Sequence, residues 1–421
     1  MMTIHKNKYR EYIFLLRIIV LLTLISCTFV PQSLFAEEIK DRHESAIRKL
    51  IINGGYIAAR EGRHILSYNS DKQFIPASIW KVVTALAAIE TLGKDYRFKT
   101  GFYLDNHKDL YIKGFGDPFI ISEEIDLIYK KLIEKGIVEI NNIYMDISSF
   151  DSPEPPPGGT SSLNPYDAIN GALAVNFNTV YFNVDGSGTV KSAEEQTPTL
   201  LIMKDLGRKF KRGRHRINIS GSPENVSRHT GELFRAFQNQ YKIPGKGSES
   251  EKNTPDSLKP LYVHYSSKTL IDIIKEMMLY SNNYISNQIF LTMGAYEYGY
   301  PATWEKGEKY LEHYLETNFP KYKNEIKVSE GSGISRDNRI TPRAFMEILK
   351  RYKPYARTLP LDKGRYAKSG TLNGVYSNAG YIKSDTGYDC FVIILNQRDN
   401  TRGRILELIK KYMVDSGFNV Q

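Results

Sequence analysis

The chain is poor in cysteine, and its histidines form no recognisable metal-binding pattern. Two cysteines in 421 residues are too few to cross-link a chain of this length, so a disulfide-stapled scaffold is excluded. None of the eight histidines belongs to a His-Glu-x-x-His or His-x-His pattern. A zinc hydrolase is therefore disfavoured.

The chain has only a mild excess of positive charge, and this excess is not packed into an arm. The 57 lysines and arginines exceed the 47 aspartates and glutamates by ten. Nucleic acid is therefore not expected as a partner. A basic surface favours an anionic polymer such as cell-wall glycan, although a soluble protein that is merely basic fits equally well. The 41% hydrophobic content excludes general disorder, and the length predicts two or more lobes.

The amino terminus has a short apolar run but not a comfortable membrane span. Four basic residues precede or interrupt the apolar stretch over 13–25, and Ala36 precedes two glutamates. This pattern predicts a secretory signal peptide over 1–36, and a retained anchor is the less favoured reading. Cleavage before Cys27, with lipid attached to it, remains an alternative. We expect an exported, periplasmic or cell-envelope protein, with peripheral membrane contact only if Cys27 carries lipid.

Apolar spacing and turn residues predict a chain in which helices and strands alternate. Helices are predicted over 78–92, 125–135, 268–279, 284–293 and 402–414. Strands are predicted over 56–60, 64–68, 172–184, 366–372, 375–383 and 388–396. The Asn-Gly pair between two of the last three strands predicts that they form a meander. Cys390, in the last strand, is interpreted as core packing, and the segments 153–159 and 245–259 as a loop and a linker.

The clearest chemical signal is the sequence Ser78-Ile79-Trp80-Lys81 at the start of a predicted helix. Ser78 is the only serine in the chain that is followed three places later by lysine. Residues i and i+3 share a helix face, so the Lys81 amine can reach the Ser78 hydroxyl. A lysine whose pKa is lowered by burial or by a second cation can take the serine proton. Alone, the motif arises by chance, because a serine at a helix start is usually a cap.

Two companion motifs follow in order along the chain. Ser281-Asn282-Asn283 falls at the junction of two predicted helices, and Lys368-Ser369-Gly370-Thr371 lies on the strand that opens the meander. Lys99-Thr100-Gly101 is a literal Lys-Thr-Gly but is rejected. The helix after Ser78 would carry the chain about 22 Å away before Lys99. Together, Ser-x-x-Lys, Ser-x-Asn and Lys-Ser/Thr-Gly in this order form a specific constellation.

The constellation resembles the serine D,D-peptidases and serine β-lactamases. Segments beyond the motifs resemble the class-C low-molecular-mass penicillin-binding proteins, the D-alanyl-D-alanine carboxypeptidase/endopeptidase family. The resemblance runs from about residue 45 to residue 415. It rests on the segments FIPASIWKVVTALAAIETLG, GFGDP, GALAVNFNTVYFNV, EGSGISRDNRITP and AKSGTLNGVYSNAGYI.

The resemblance implies an α/β (α+β) fold, a penicillin-binding/β-lactamase-like domain with an antiparallel sheet flanked by helices. A gap of 203 residues separates Ser78 from Ser281, so this domain is expected to be split by an inserted mixed lobe. The expected division is a catalytic part over 37–98, an accessory lobe over 99–262 and a second catalytic part over 263–421.

The resemblance also implies a D-Ala-D-Ala carboxypeptidase, with D,D-endopeptidase action as a further expectation, acting on peptidoglycan stem peptides and inhibited covalently by β-lactams. No metal or organic cofactor is expected. Ser78 is the expected nucleophile and Lys81 its base, and Lys368 is expected to keep Lys81 neutral. Ser281 is expected to relay a proton to the leaving amine, and Asn283 to orient the substrate amide and Lys81.

Substrate contacts are implied for the Lys-Ser-Gly-Thr strand. The backbone N–H groups of Ser78 and Thr371 are expected to hold the oxyanion, and the Ser369 and Thr371 hydroxyls to meet the terminal carboxylate. Gly370 leaves room for the substrate backbone. Two departures from the family pattern are Ser369 in place of the commoner threonine and Glu330 in place of aspartate before Gly-Ser-Gly.

Alternative readings remain at this point. A serine β-lactamase would need a general base, and the Glu-x-x-Leu-Asn box is missing, because Thr160 stands where its glutamate would be. A non-catalytic wall-binding or sensor protein is another, although all the polar groups of the motifs are kept. Read singly, Ser281 and Asn283 would be helix caps and Lys368 a solvated strand residue.

Overall fold

The computed structural model describes residues 32–416, except 152–153, 161 and 386. Residues 1–31, which carry Cys27 and most of the predicted signal peptide, lie outside the described residues, so both cleavage alternatives stay predictions. Across the described part of the chain, no helix is both long enough and apolar enough to cross a membrane.

Helices and strands alternate along the chain. The helices are α1 (Gln32–Arg48), α2 (Lys81–Leu92), α3 (Ser122–Glu134), α4 (Leu201–Gly207), α5 (Pro223–Gln240), α6 (Leu270–Tyr280), α7 (Asn283–Tyr298), α8 (Trp304–Asn318), α9 (Pro342–Tyr352) and α10 (Arg402–Asp415). The strands are β1 (Gly54–Arg60), β2 (Arg63–Tyr68), β3 (Lys99–Leu104), β4 (Leu110–Gly114), β5 (Ile143–Asp146), β6 (Thr179–Val184), β7 (Val190–Ser192), β8 (Gly213–Asn218), β9 (Glu249–Glu251), β10 (Tyr262–Tyr265), β11 (Ile326–Lys327), β12 (Arg339–Ile340), β13 (Leu361–Asp362), β14 (Arg365–Leu372), β15 (Val375–Ser384) and β16 (Gly387–Leu395).

A six-stranded antiparallel sheet joins the two ends of the described chain. Its strand order is β13-β14-β15-β16-β1-β2. The amino-terminal strand β1 pairs with β16 in a register that sets Gly54 opposite Leu395. The predicted hairpin of the first two strands and the predicted meander of the last three are both confirmed.

Alternating side chains of this sheet fill two separate cores, as the period of two in a strand requires. Tyr56 and Ala58 of β1 pack on one face with apolar residues of α1 and α10. Ile57 and Ala59 pack on the other face with α2 and the helices α6–α9. The mixed α+β class, with an antiparallel sheet flanked by helices, is therefore confirmed.

A second group of elements has its own core. The sheet β10-β3-β4-β5-β9 and the smaller sheet β7-β6-β8 pack with α3 and α5 around residues such as Phe102, Phe182 and Phe234. Lys99-Thr100-Gly101 lies on β3 in this group, not in the six-stranded sheet, which agrees with its rejection as a motif. The expected division at 98 and 262 stays a prediction; β10 lies at the second boundary and pairs with β3.

Two predicted segments differ in the structure. The strand predicted over 172–184 was wrong in its first half, because Asn176–Asn178 form a 3-10 turn in which all three φ angles are positive, and only Thr179–Val184 pair. The segment 245–259 is not only a linker, since it contains β9, which pairs with β5. Cys390 is buried and unpaired, which confirms its reading as packing.

Candidate active site

Ser78 lies in a strained turn rather than in the α-helix itself. A 3-10 turn over Ala77–Trp80 precedes α2, so the predicted helical start at Ser78 was wrong by one turn. Ala77 has φ 50°, a left-handed conformation that costs energy for a residue with a side chain. Ser377 Oγ donates to Pro76 O at 2.5 Å and Trp80 Nε1 donates to Glu330 O at 2.7 Å. These contacts hold the turn in place.

Lys81 is completely buried beside Ser78. Its Nζ lies 3.1 Å from Ser78 Oγ, 2.7 Å from Asn283 Oδ1 and 2.8 Å from Ser332 O. The last two oxygens only accept hydrogen bonds, so they take the two N–H groups of a neutral amine. The remaining lone pair then faces the Ser78 hydroxyl. The arrangement suits a base that receives the serine proton.

The electrostatics of the site favour that neutral form. Burial lowers the pKa of Lys81 well below its ordinary value, the positive charge of Lys368 lowers it further, and the Glu330 carboxylate opposes both. Burial, together with the charge of Arg402, lowers the pKa of Lys368 to about 8. An amine that is neutral near physiological pH can act as a base there.

Glu330 organises the loop that supplies Ser332 O. Its buried carboxylate accepts from the backbone N–H groups of Ser332 at 2.7 Å and Gly333 at 2.6 Å, and from Asn338 Nδ2 at 2.7 Å. The Ser332 hydroxyl donates to it as well, at 2.6 Å. Sequence reasoning noted this glutamate without a role, and its position before Gly-Ser-Gly was the available signal.

The Ser-x-Asn motif sits where α6 ends and α7 begins. Ser281 has a left-handed backbone (φ 53°) at the end of α6, and Asn282 Oδ1 accepts from Ile285 N at 3.0 Å as the cap of α7. Neither Ser281 nor Asn283 therefore caps the following helix α7, although Ser281 is the C-cap residue of α6. Asn283 is free to bond Lys81, and its Nδ2 donates to Tyr166 O at 3.2 Å.

The strand β14 lies directly against the Ser78 turn. A Cβ on Gly370 would stand 2.7 Å from Ser78 N and 2.4 Å from Ser377 Oγ, so only glycine allows this approach. Lys368 is 3% exposed and its Nζ donates to Ser369 O at 3.0 Å. Ser369 and Thr371 alternate with these buried residues and are exposed.

Arg402 is a site residue that sequence reasoning missed. It is the first residue of α10, and its Nη1 donates to Gly370 O at 2.6 Å, Thr371 Oγ1 at 3.0 Å and Ser377 O at 3.2 Å. An arginine in the first turn of a helix is disfavoured by the helix dipole, but this weak signal does not indicate a partner. Only the packing of α10 on the sheet brings it to β14.

Two clefts meet at the Ser-x-Asn motif. A cleft of about 770 Å³ is lined by Ser281, Lys368, Ser369 and Arg402. A second cavity, of about 700 Å³, lies between residues of the second group of elements and the α6–α7 junction, and Ser281 to Asn283 form one of its walls. Of the residues predicted from sequence, Lys81 contacts Ser78 and Asn283. Gly370 lies against Ser78, and Ser281 shares a cleft with Lys368 and Ser369. The individual roles of all eight predicted residues stay predictions.

Comparison with known proteins gives one family and several relatives. A family model described as Peptidase S13, the D-Ala-D-Ala carboxypeptidase 3 (S13) family, matches residues 52–207 and 216–361, more than half of the chain. D-alanyl-D-alanine carboxypeptidase DacB of Haemophilus influenzae is 24% identical over 405 residues, covering 80% of this chain and 83% of that protein. D-alanyl-D-alanine carboxypeptidase of Actinomadura sp. is 23% identical over 410 residues, covering 80% and 76%.

Solved structures show the same fold. Penicillin binding protein 4 (dacB) from Haemophilus influenzae superposes with a TM-score of 0.71 at 21% identity, covering 88% of this chain and 99% of that chain. A predatory peptidoglycan endopeptidase from Bdellovibrio bacteriovorus gives a TM-score of 0.53 at 16% identity, covering 87% and 93%.

Proposed function

The chain belongs to the D-Ala-D-Ala carboxypeptidase 3 (S13) family, and from that premise we propose that it cleaves the terminal D-Ala-D-Ala bond of peptidoglycan stem peptides through an acyl-enzyme on Ser78. The observation that carries the proposal is the 3.1 Å contact between Lys81 Nζ and Ser78 Oγ. The other two partners of Nζ accept its hydrogens, so its lone pair is directed at the serine.

Acylation begins when Lys81 takes the hydroxyl proton and Ser78 Oγ attacks the carbonyl carbon between the two D-alanines. The tetrahedral oxyanion is held by the backbone N–H groups of Ser78 and Thr371. The C–N bond then breaks, and the proton passes from Lys81 through Ser281 to the leaving amine. Water attacks the ester in the second half-reaction and regenerates Ser78.

Lys368 and Asn283 prepare this step. The Lys368 charge lowers the pKa of Lys81, which burial has already lowered, and so favours the neutral base. Asn283 accepts one Lys81 hydrogen and thereby fixes the direction of the lone pair. The exposed Ser369 and Thr371 hydroxyls on β14 meet the terminal carboxylate of the substrate.

A serine β-lactamase is the second candidate, and the structure supplies little for it. Rapid hydrolysis of a penicilloyl ester needs a base beside the ester, and Thr160 stands where the glutamate of a Glu-x-x-Leu-Asn box would be. Its hydroxyl donates to the buried Asp167 at 2.5 Å, so it is part of a loop contact. This observation favours a long-lived penicillin adduct.

Intact mass after incubation with a fluorescent penicillin, together with release of D-alanine from a pentapeptide, tests the proposal. We expect one long-lived adduct and D-alanine release in the natural protein, and neither in Ser78→Ala. Ser67→Ala, in the β2 hairpin, is the matched control and keeps both activities. Fast penicillin turnover without an adduct would indicate a β-lactamase. No reaction of any kind would indicate a wall-binding protein.

We further propose that the chain acts outside the cytoplasm, in the periplasm or cell envelope, after removal of the signal over 1–36. Cleavage before Cys27 with lipid attachment is the alternative end. The mass of the mature amino-terminal peptide distinguishes them, because cleavage after Ala36 removes Cys27 and lipidation adds acyl chains to it.

A further inference from the structure

Arg402 and Lys368 are two cations of one cleft without an acidic partner among the described residues. Within the part of the chain that the structure describes, Lys368 donates to the carbonyl oxygen of Ser369, and the hydrogen bonds of Arg402 go to oxygens of β14 and β15. Burial is the main cause that lowers the pKa of both groups. Burying positive charge without a counter-charge is costly, so the pair indicates that an anion completes the site.

We propose that Arg402 is a specificity-determining residue that selects substrates ending in a free carboxylate. It does so by donating to that carboxylate and by orienting the Thr371 hydroxyl toward it. This inference rests on the proposed function and adds a residue outside the three motifs.

The hydrogen bonds of Arg402 leave it able to bind a ligand. A guanidinium has five N–H groups in a planar fork, which matches a carboxylate in a bidentate contact. In the described chain, all the hydrogen bonds of Arg402 leave from Nη1, so the three N–H groups on Nε and Nη2 remain for a ligand. Arg402 also lines the 770 Å³ cleft together with Lys368 and Ser369.

The contact with Arg402 also orients the hydroxyl group of Thr371. Its Oγ1 accepts a hydrogen from Arg402 Nη1 at 3.0 Å, so its own hydrogen is not used in that bond. Because Thr371 is exposed, this hydrogen can be donated to a ligand bound beside Arg402. Ser369 is two residues earlier on the same strand and therefore on the same face, and it lines the cleft together with Arg402. A carboxylate bound by the guanidinium can therefore also accept from these hydroxyls.

Other charged side chains around the cleft are largely balanced or exposed. Arg365 contacts both Asp362 and Glu407, at 2.5 Å and 3.9 Å. Lys363 and Arg404 also line the cleft but are exposed, where water screens their charge. Besides Lys368, the partly buried Arg402 is therefore the cation of this cleft that can distinguish a carboxylate from a neutral group.

The test compares Arg402→Gln and Arg402→Lys with the natural protein on a peptide ending in D-Ala-D-Ala and on the same peptide ending in an amide. For the acid we expect kcat/KM to fall about 10- to 100-fold in Arg402→Gln, mainly through KM, and to recover partly in Arg402→Lys. For the amide we expect less than a threefold change. Lys411→Gln, which removes an exposed charge of the same helix away from the cleft lining, serves as the control.

Two further measurements separate specificity from a structural role. The charge of Arg402 contributes to the lowered pKa of Lys368, so Arg402→Gln should move the alkaline limb of the acid-substrate profile from near pH 8 to higher pH. The proposal would be overturned if Arg402→Gln lowered kcat/KM equally for the acid and the amide peptide and left the alkaline limb of the pH profile unmoved. Arg402 would then only support β14. A thermal melt shows whether each variant is folded.

Binding to Ser78→Ala makes the inference independent of turnover. Calorimetry should show the acid peptide binding at least tenfold more tightly than the amide, and the difference should disappear when Arg402→Gln is added. If the natural protein releases no D-alanine but this preference holds, the proposed function fails and the role of Arg402 stands. If the preference is absent, Arg402 does not recognise the carboxylate.

Discussion

Gly370→Ala tests whether the contact between β14 and the Ser78 turn sets the catalytic geometry. The added Cβ would lie 2.7 Å from Ser78 N and 2.4 Å from Ser377 Oγ, whereas ordinary contact begins at 3.4 Å. The strand or the turn must therefore move by about 0.7 to 1 Å. Because a displacement of about 1 Å can cost about 100-fold in rate, we expect acylation of Ser78 to slow by about two orders of magnitude.

The assay is the second-order rate of acylation by a fluorescent penicillin, followed by stopped flow. Gly221→Ala is the matched control, because its Cβ would meet nothing within 4 Å and its φ is not positive. It should acylate at the natural rate. A thermal melt of Gly370→Ala should show a cooperative transition, since the six-stranded sheet is retained. Acylation of a folded Gly370→Ala at the natural rate would refute the geometric reasoning.

Two other predictions concern buried carboxylates. Glu330→Gln replaces an acceptor of several N–H groups with an amide that must turn its NH₂ toward one of them, so the free energy of unfolding should fall by about 2–4 kcal/mol. Loss of the Glu330 charge also lowers the pKa of Lys81 further. The acid limb of the pH–rate profile for acylation of Ser78 should therefore move to lower pH. An unmoved limb would contradict this coupling. Burial raises the pKa of Asp117 to about 7, so folding takes up a proton between pH 3.8 and 7 and stability falls as pH rises through that window. Asp117→Asn should therefore raise the melting temperature more at pH 8 than at pH 5, and an equal change at both would count against it.

The strands and helices nearest the motifs were predictable because they carry strong local signals. Asn373-Gly374 fixes a hairpin, and the apolar spacing after Ser78 fixes a buried helix. The turn at Asn176–Asn178 was missed although asparagine is depleted in strands and is common at positive φ, because the flanking apolar residues resemble a strand. The positive φ of Phe177 and the bond that Asn176 Oδ1 accepts from Ser122 N leave no local signal.

The candidate site also contains residues that the sequence reveals and residues that only the folded chain reveals. Ser78, Lys81 and Lys368 stand in motifs with fixed spacing, so their residue types and order revealed them. Arg402 acts from a helix that contacts β14 only after the sheet has formed, and Glu330 acts through backbone N–H groups of its own loop. The contact of Arg402 leaves no pattern in the sequence, whereas the position of Glu330 before Gly-Ser-Gly marks the residue but not its contacts.

The pairing of β1 with β16 has a consequence for the growing polypeptide. Gly54 and Leu395 are 341 residues apart, so a ribosome must finish nearly the whole chain before the central sheet can close. Until then β14, which lies against the turn at residues 77–80, has no complete sheet to hold it, and the burial that lowers the pKa of Lys81 in the folded chain is not yet complete. We therefore expect Ser78 to be unreactive in a chain that ends before β16, because the folded site around Lys81 is incomplete.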